Sequence, residues 1–289
     1  MNDTFGHYER HFWTLKTLFL FDCRLYFRYS LKKKKTKVGL KMYDVVRYNN
    51  GLNTVPLRKF TPVEMDIFWA VCSKMKRRGT EELTFDFDDF QELAKYDRRE
   101  KDSFYTALKS TWEKMKQLNY SYEDDGYYED FVLFQRFAID KDNEKVIIQA
   151  SERFEFVLNA IGTNFTRFEL ENLTRLDSSY SKELYRQLMQ YRSIETKSGY
   201  WAVTVDDFRE LLDIPDSYRM SHIDSRVFNT AKKELLNSKD GRPPIFDSLS
   251  IEKIKAKKGN KIQRFVIRFK EYEDPNPVPM INFMTGEKI

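Results

Sequence analysis

The sequence predicts an α+β chain built from two tandem winged helix-turn-helix domains. The first observation is an internal repeat, because residues 83–93 read LTFDFDDFQEL and residues 201–211 read WAVTVDDFREL. Each copy joins a β-like stretch to an acidic helix start. The second observation is that an amphipathic helix follows each copy, at about residues 101–118 and 219–237, and a hairpin pattern follows each helix. The constant spacing of about 118 residues between the copies indicates one fold used twice.

Length and composition fit two packed domains and argue against other classes. The 289 residues leave room for two domains of about 100–150 residues each. A content of 41% hydrophobic and 16% aromatic residues supplies two cores. The best candidate for a membrane span, residues 12–27, contains Lys16, Asp22 and Arg24, so we predict no membrane segment. The two cysteines lack CxxC spacing, so we expect a reduced, cytoplasmic protein without a cofactor.

Charge is divided unevenly along the chain, although the formal total is only +5. Residues 1–41 carry 10 basic and 3 acidic side chains, residues 42–180 carry 20 and 26, residues 181–272 carry 19 and 13, and residues 273–289 carry 1 and 3. Attraction of phosphates requires Lys and Arg placed on one surface. The second half of the chain is therefore predicted to be the main DNA-binding unit.

We divide the chain into four segments on these patterns. Residues 1–41 form an N-terminal extension, residues 42–160 the first winged-helix domain, residues 161–272 the second, and residues 273–289 a flexible tail with three prolines. The aromatic and basic extension has no clear period. It either lies outside the fold, as an upstream start or an added segment, or forms a helix with a basic arm that touches DNA.

The first domain opens with a capped helix. Residues 61–64 place Thr at the N-cap, Pro at the first helical position and Glu at the third. The helix is expected to end at Gly79 and to bury one face: Met65, Phe68, Trp69, Cys72 and Met75. Alternating segments near residues 131–137 and 146–150, joined by a turn at residues 140–143, predict the first wing.

The second domain follows a helix and connector predicted for residues 151–180. Its first helix begins near Tyr180 and is expected to turn three residues inward: Leu184, Leu188 and Tyr191. The next helix, residues 219–237, carries apolar residues at steps of four: Ile223, Val227, Ala231 and Leu235, with Phe228 beside them. A hairpin over residues 249–269 forms the second wing.

Motifs for catalysis and metal binding are weak. His7 and His11 are four residues apart but lie in the extension, and the chain has no His-x-His pair of the kind that nicking initiators use. It also lacks a GxxxxGK phosphate loop and a GxSxG motif. The acid pairs at residues 88–89 and 206–207 stand at predicted helix starts, where capping and the helix dipole favour Asp. We predict neither an enzyme nor a metal site.

The polar face of the helix at residues 219–237 is the main functional candidate. In helix-turn-helix proteins the N-terminal residues of the second helix meet base edges, where Arg pairs with guanine and Asn with adenine. Ser225 and Arg226 are predicted to read bases, and Tyr218 and Ser221 to hold phosphate. The alternative is an ordinary solvated face. The full set on and beside this helix is Tyr218, Arg219, Ser221, His222, Ser225, Arg226, Asn229 and Lys233.

Basic residues of the second wing strengthen the DNA-binding interpretation, because a basic hairpin tip contacts the DNA backbone or minor groove. They are Lys253, Lys255, Lys257, Lys258, Lys261 and Arg264. The matching helix of the first domain offers a mixed set, alternating with acids: Arg98, Arg99, Lys101, Ser103, Thr106 and Lys109. This set either contacts phosphates weakly or is a solvated face. The acidic balance of the first domain favours self-association or partner binding.

Three stretches of the chain carry a family resemblance: residues 53–65, residues 180–188, and residues 208–212 followed by residues 226–228. They resemble the replication initiator proteins of iteron-containing, theta-replicating plasmids, most closely those of Gram-positive plasmids. The similarity covers about residues 42–272, and the phrase YSKELY is its most specific part. Residues 1–41 depart from the family pattern, which usually starts near Met42 here.

The resemblance implies two winged-helix domains and binding to double-stranded DNA. Monomers are expected to bind direct repeats at the origin, and a homodimer is expected to bind an inverted repeat and repress the chain's own gene. The C-terminal domain is expected to read the main half-site, while the N-terminal domain dominates dimerisation and contacts the other half. A host initiator and the replicative helicase are the expected partners.

Three functional hypotheses remain at this point. The first is a non-enzymatic initiator that binds origin repeats, bends the origin and helps to open an adjacent A·T-rich segment. The second is a winged-helix transcriptional regulator that binds one operator as a dimer. The third is a nickase for rolling-circle replication, against which the missing His pair argues.

Overall fold

The computed structural model describes residues 45–75, 78–96, 101–124, 126–159 and 164–274. The predictions for residues 1–41, for Arg98 and Arg99, and for residues 275–289 lie outside the described residues. So does the side chain of Lys101.

The first half of the described chain begins with a strand and contains the first winged helix. Its elements are β1 (Val45–Asn49), α1 (Pro62–Met75), β2 (Leu83–Asp86), α2 (Phe87–Leu93), α3 (Lys101–Met115), β3 (Asn119–Asp124), β4 (Tyr127–Val132), β5 (Phe134–Asp140), β6 (Lys145–Ala150) and α4 (Glu152–Asn159).

The second half contains the second winged helix. Its elements are β7 (Phe165–Glu169), α5 (Leu170–Thr174), α6 (Ser179–Gln190), β8 (Ser198–Thr204), α7 (Val205–Leu211), α8 (Met220–His222), a π-helical turn (Ile223–Phe228), α9 (Asn229–Leu236), β9 (Phe246–Lys255) and β10 (Ile262–Glu271).

The two copies share one sheet topology. The strand order is β2-β6-β5 in the first copy and β8-β10-β9 in the second, so the last strand of each copy lies in the middle of its sheet. Helices α2 and α7 begin at Phe87 and Val205, at the spacing that the repeat predicts. The α+β class and the tandem winged-helix architecture predicted from the sequence are confirmed.

Helix α1 begins with the capping box that the sequence predicts. The Thr61 backbone N–H donates to Glu64 Oε2 at 2.6 Å, and the Glu64 N–H donates to Thr61 Oγ1 at 3.3 Å. The predicted apolar face is buried. The prediction of a single buried face was incomplete, because the opposite side is buried too, and Lys182 of α6 bonds there to Asp66.

A hairpin that the sequence pattern does not predict lies between α3 and β5. Strands β3 and β4 pair antiparallel, with Asn119 opposite Val132. The predicted single segment at residues 131–137 is therefore two strands of two different sheets. The division falls at Leu133, which is fully buried and whose carbonyl accepts from the Ser151 N–H at 3.0 Å.

The connector predicted for residues 151–180 contains a strand as well as helices. Strand β7 pairs antiparallel with β1, with Val45 opposite Glu169 and Asn49 opposite Phe165. The prediction of a helix and a connector alone was wrong. Strand β7 is short and pairs with a segment more than a hundred residues earlier, so the local sequence does not reveal it.

Helix α6 turns Leu184 and Leu188 into the core, as predicted, but Tyr191 is 41% exposed. The helix ends at Gln190, and Tyr191 is its C-cap residue, so the helical spacing no longer applies. The Tyr191 ring instead stacks on Trp201 of β8 with a centroid distance of 5.7 Å.

Segments α8, the π-helical turn and α9 run without interruption and are called helix 220–236 below. The predicted apolar stripe is buried along its whole length. An α-helix rotates about 400° in four residues, so a stripe at steps of four drifts by about 40° each time. The wider i→i+5 bonding of the π turn reduces this drift. The prediction of a uniform α-helix was therefore wrong, because a π turn interrupts it at Ile223–Phe228.

None of the helices in the described part of the chain has the length and apolarity needed to cross a membrane.

Candidate nucleic-acid interface

The turn between α7 and helix 220–236 is fixed by Arg209. Its guanidinium donates to the carbonyl of Pro215 at 3.1 Å and to the carbonyl of Tyr218. The Tyr218 N–H in turn donates to the Pro215 carbonyl at 2.9 Å. These bonds fix the direction in which helix 220–236 leaves the turn.

Helix 220–236 divides cleanly into an apolar face and a polar face. Its apolar stripe packs into the second domain. Six of the predicted site residues are exposed on or just ahead of the opposite face: Arg219, Ser221, Ser225, Arg226, Asn229 and Lys233. Tyr218 and His222 are half-buried beside them. The structure therefore brings the predicted set together on one surface.

Arg226 is held in place by Tyr218. Its Nη1 donates to the Tyr218 hydroxyl at 2.9 Å, and its Cζ lies 5.0 Å from the centre of the tyrosine ring. This hydrogen bond lowers the pKa of Tyr218. A guanidinium carries five N–H donors in a planar fork, and one of them is used in this bond. Arg226 is thus oriented near the helix start, where Arg pairs with guanine in helix-turn-helix proteins.

His222 ties down the first turn of the same helix. Its Nδ1 accepts a hydrogen bond from the Arg219 backbone N–H at 3.2 Å, and its ring meets Tyr218 edge-on at 5.5 Å. With Nδ1 acting as acceptor, the proton of the neutral imidazole lies on Nε2. His222 therefore stabilises the helix start in addition to any contact that it makes outside.

The second wing lies against helix 220–236 through a charged contact. Lys253 on β9 forms an ion pair with Asp224 in the π turn. The wing turn closes with the Ala256 N–H donating to the Lys261 carbonyl at 2.9 Å, and Gly259 adopts a φ of 87° that favours glycine. The other predicted wing residues are all exposed: Lys255, Lys257, Lys258, Lys261 and Arg264. The second wing thus carries exposed basic residues, and the Lys253–Asp224 ion pair connects it to helix 220–236.

The equivalent surface of the first domain differs in charge. Ser103 and Lys109 are exposed on α3. Lys141 at the wing tip bonds to Asp102 at 2.9 Å and lies 5.2 Å from the Tyr105 ring, and the bond to Asp102 raises the pKa of Lys141. Three acids surround the same turn: Asp140, Asp142 and Glu144. The first wing is therefore acidic where the second is basic.

The paired acids occupy the first turns of α2 and α7, as predicted. Thr204 caps α7, because its hydroxyl accepts from the Asp207 N–H at 3.1 Å. Within the described residues, no group of three or more His, Cys, Asp or Glu side chains is arranged to hold a metal ion.

Arg58 and Tyr180, which the sequence does not predict as site residues, lie beside this surface. Arg58 Nη1 donates to the carbonyl of Asp213, at the end of the α7 turn, at 3.0 Å. The Tyr180 ring lies 6.4 Å from the Tyr218 ring. Local sequence gives no indication of these contacts, because they join residues far apart along the chain.

Two family models match the chain. The first, described as initiator replication protein, WH1, matches residues 45–189, and the second, initiator Rep protein, WH2, matches residues 204–269. The chain belongs to the replication initiator protein family. The sequence resemblance to that family is confirmed.

Individual relatives agree with this assignment. The chain is 35% identical over 175 residues to a probable replication protein of Bifidobacterium longum strain NCC 2705, covering 60% of this chain and 58% of that protein. The chain thus spans less than two thirds of the length of this relative. A crystal structure of the Pi initiator protein in complex with iteron DNA aligns with a TM-score of 0.64 at 18% identity, covering 81% of this chain and all of that one. That likeness concerns the fold.

Proposed function

We propose that the chain is a plasmid replication initiator that binds double-stranded DNA at direct repeats of an origin. The observation that carries the proposal is the exposed polar face of helix 220–236 together with the exposed lysines of the second wing, the two elements being joined by the Lys253–Asp224 ion pair. Membership of the initiator family supports the biological role, and the fold shared with the iteron-bound Pi protein supports the mode of binding.

Helix 220–236 enters the major groove, and the wing follows the DNA backbone. Arg226 and Ser225 read bases near the helix start, while Tyr218, Arg219 and Ser221 contact phosphate. Exposed lysines at the wing tip add contacts that do not depend on sequence. Several molecules bound side by side bend the origin, at a cost of about 1–6 kcal/mol per site that the added phosphate contacts offset. The chain itself carries out no reaction.

The first domain has a second role in this proposal. Its acidic wing tip makes it a weaker DNA contact, with Ser103 and the basic residues near α3 touching phosphates of the other half-site. The domain supports a homodimer that binds an inverted repeat and represses the chain's own gene. The host initiator and replicative helicase are the proposed partners, and the cytoplasm is the proposed location.

A DNase footprint of the full chain on the DNA flanking its own gene tests the proposal. Regularly spaced protection over several direct repeats supports an initiator and gives the site length. Protection of a single inverted repeat favours the transcriptional regulator instead. Cleavage of a single-stranded origin oligonucleotide in the presence of Mg²⁺ or Mn²⁺ would contradict the non-enzymatic role.

A further inference from the structure

Four side chains form a ladder that reaches from the segment ahead of α1 to helix 220–236. The Arg58 Cζ lies 4.9 Å from the Tyr180 ring centre, and the Tyr180 and Tyr218 rings are 6.4 Å apart. The Arg226 Cζ lies 5.0 Å from the centre of the Tyr218 ring and completes the ladder. Two guanidinium groups of the same charge thus stand at the two ends of a pair of aromatic rings.

Arg58 is fixed to the second domain although its backbone precedes the first helix of the first domain. Its neighbours Leu57 and Phe60 are buried, which anchors the backbone. Its Nη1 donates to the Asp213 carbonyl at 3.0 Å. The guanidinium is therefore held against the turn that leads into helix 220–236.

The environment of Arg58 differs from that of a purely structural arginine. Arg186 is fully buried and donates to the Leu52 and Val55 carbonyls and to Glu183. Arg58 is only half-buried, and among the described residues its guanidinium makes one hydrogen bond, to Asp213, so further N–H donors remain for a planar or tetrahedral anion.

We propose that Arg58 contacts a DNA backbone phosphate beside the base-reading surface of the second domain. This inference rests on the proposed function. Base edges lie beneath the start of the inserted helix, whereas groups displaced along the surface meet the backbone that borders the groove. Successive phosphates of one DNA strand advance by about 3.4 Å along the axis of the duplex. Arg58 is separated from Arg226 by two aromatic rings, so it reaches a phosphate a few nucleotides away from the bases that Arg226 reads.

Fluorescence anisotropy with the full chain over a range of KCl concentrations tests this contact. Two duplexes of equal length serve as probes, one carrying the footprinted site and one with that site scrambled. Arg58→Gln and Arg58→Met both remove the charge, and the second keeps an apolar stem over Tyr180. Arg268→Gln is the matched control, because Arg268 is exposed and lies 5.2 Å from the Tyr200 ring in a similar pairing. Thermal unfolding verifies that each variant is folded.

Removal of the Arg58 charge is expected to weaken binding to both duplexes by the same factor. The slope of log K against log salt should become shallower by about 0.9, the value for one lost phosphate contact. Arg58→Lys should restore the slope, and Arg268→Gln should leave it unchanged.

An unchanged salt slope in both charge-removing variants would overturn the inference. A loss confined to the footprinted site would also overturn it, because Arg58 would then act by positioning Arg226. In either case the proposed function would still stand if the wild-type chain bound the footprinted duplex and Arg226→Ala weakened that sequence-specific binding. Failure of the wild-type chain to bind either duplex would remove both.

Discussion

Lys182 on α6 donates a hydrogen bond to Asp66 on α1 across 2.6 Å, and the two side chains are 0% and 10% exposed. A second bond from the same ammonium reaches the Leu173 carbonyl at 2.9 Å. The contact joins helix α1 to helix α6 across more than a hundred residues of chain. Lys182 belongs to the phrase YSKELY that made the family recognisable, so this phrase serves the packing of α6 against α1.

Removing one partner of this pair is expected to lower the free energy of unfolding more than removing both partners. In Lys182→Met the buried carboxylate loses its counter-charge, which typically costs about 3–5 kcal/mol of unfolding free energy. In the double variant Asp66→Leu, Lys182→Met, neither charge is buried, and most of that loss should be recovered. Urea denaturation of the two single variants and the double variant at pH 8 measures the coupling. Simply additive losses would show that the pair is not coupled.

The same pair gives the folded chain a specific dependence on pH. Burial raises the pKa of Asp66 to about 7, although Lys182 opposes this shift. An acid whose pKa is higher in the folded than in the unfolded chain binds its proton more tightly when folded. Its contribution to stability is therefore lost as pH rises from about 4 to about 7.

Asp66→Asn isolates this effect, because the variant retains every other titrating group. Its unfolding free energy relative to wild type should increase as the pH is raised across that range, and equilibrium denaturation at several pH values provides the measurement. A difference that stays flat or decreases would mean that the Asp66 carboxylate is ionised throughout.

Arg226→Ala is expected to lose about 1–3 kcal/mol of sequence-specific binding, the usual value of one good base contact. Tyr218→Phe removes the hydrogen bond at 2.9 Å but keeps the ring beneath the guanidinium, so a smaller loss is expected. Anisotropy with the footprinted and scrambled duplexes separates the two kinds of affinity. Equal losses on both duplexes in Arg226→Ala would identify Arg226 as a phosphate contact.

Periodicity and capping in the sequence were sufficient to predict the repeated architecture and the polar helix face. The Thr61–Glu64 capping box and the buried stripe beginning at Ile223 depend on neighbours within one helix, and such local preferences can be read directly. The exposure of the candidate surface followed from the same stripe, because residues opposite a buried face point outwards.

Features created by distant parts of the chain could not be predicted in this way. Strand β7 is too short to be recognised without β1, which pairs with it from the other end of the first domain. In the sequence, Arg58 cannot be distinguished from an ordinary loop arginine, because its contacts with Asp213 and Tyr180 form only in the folded chain. The π turn also escaped prediction, because steps of four are compatible with an α-helix over short distances.

The lysines at the tip of the second wing are expected to contribute affinity without specificity. Lys257 and Lys258 are both exposed beside Gly259, where they can approach the backbone of any duplex. Replacing both with Gln should weaken binding to footprinted and scrambled DNA alike. The salt slope should become shallower by up to about 1.8, since each phosphate contact contributes about 0.9.

Lys141→Gln and Lys145→Gln in the first wing provide the matched control for this prediction. Lys141 is already bonded to Asp102 in a turn rich in acids, so the same loss of two charges should change the slope little. If the slope is unchanged when Lys257 and Lys258 are replaced, the second wing does not touch DNA. The first-wing variant could instead change the slope as much as the second-wing variant does. The charge difference between the two wings would then not decide which domain binds DNA, and the first domain would contribute phosphate contacts of its own.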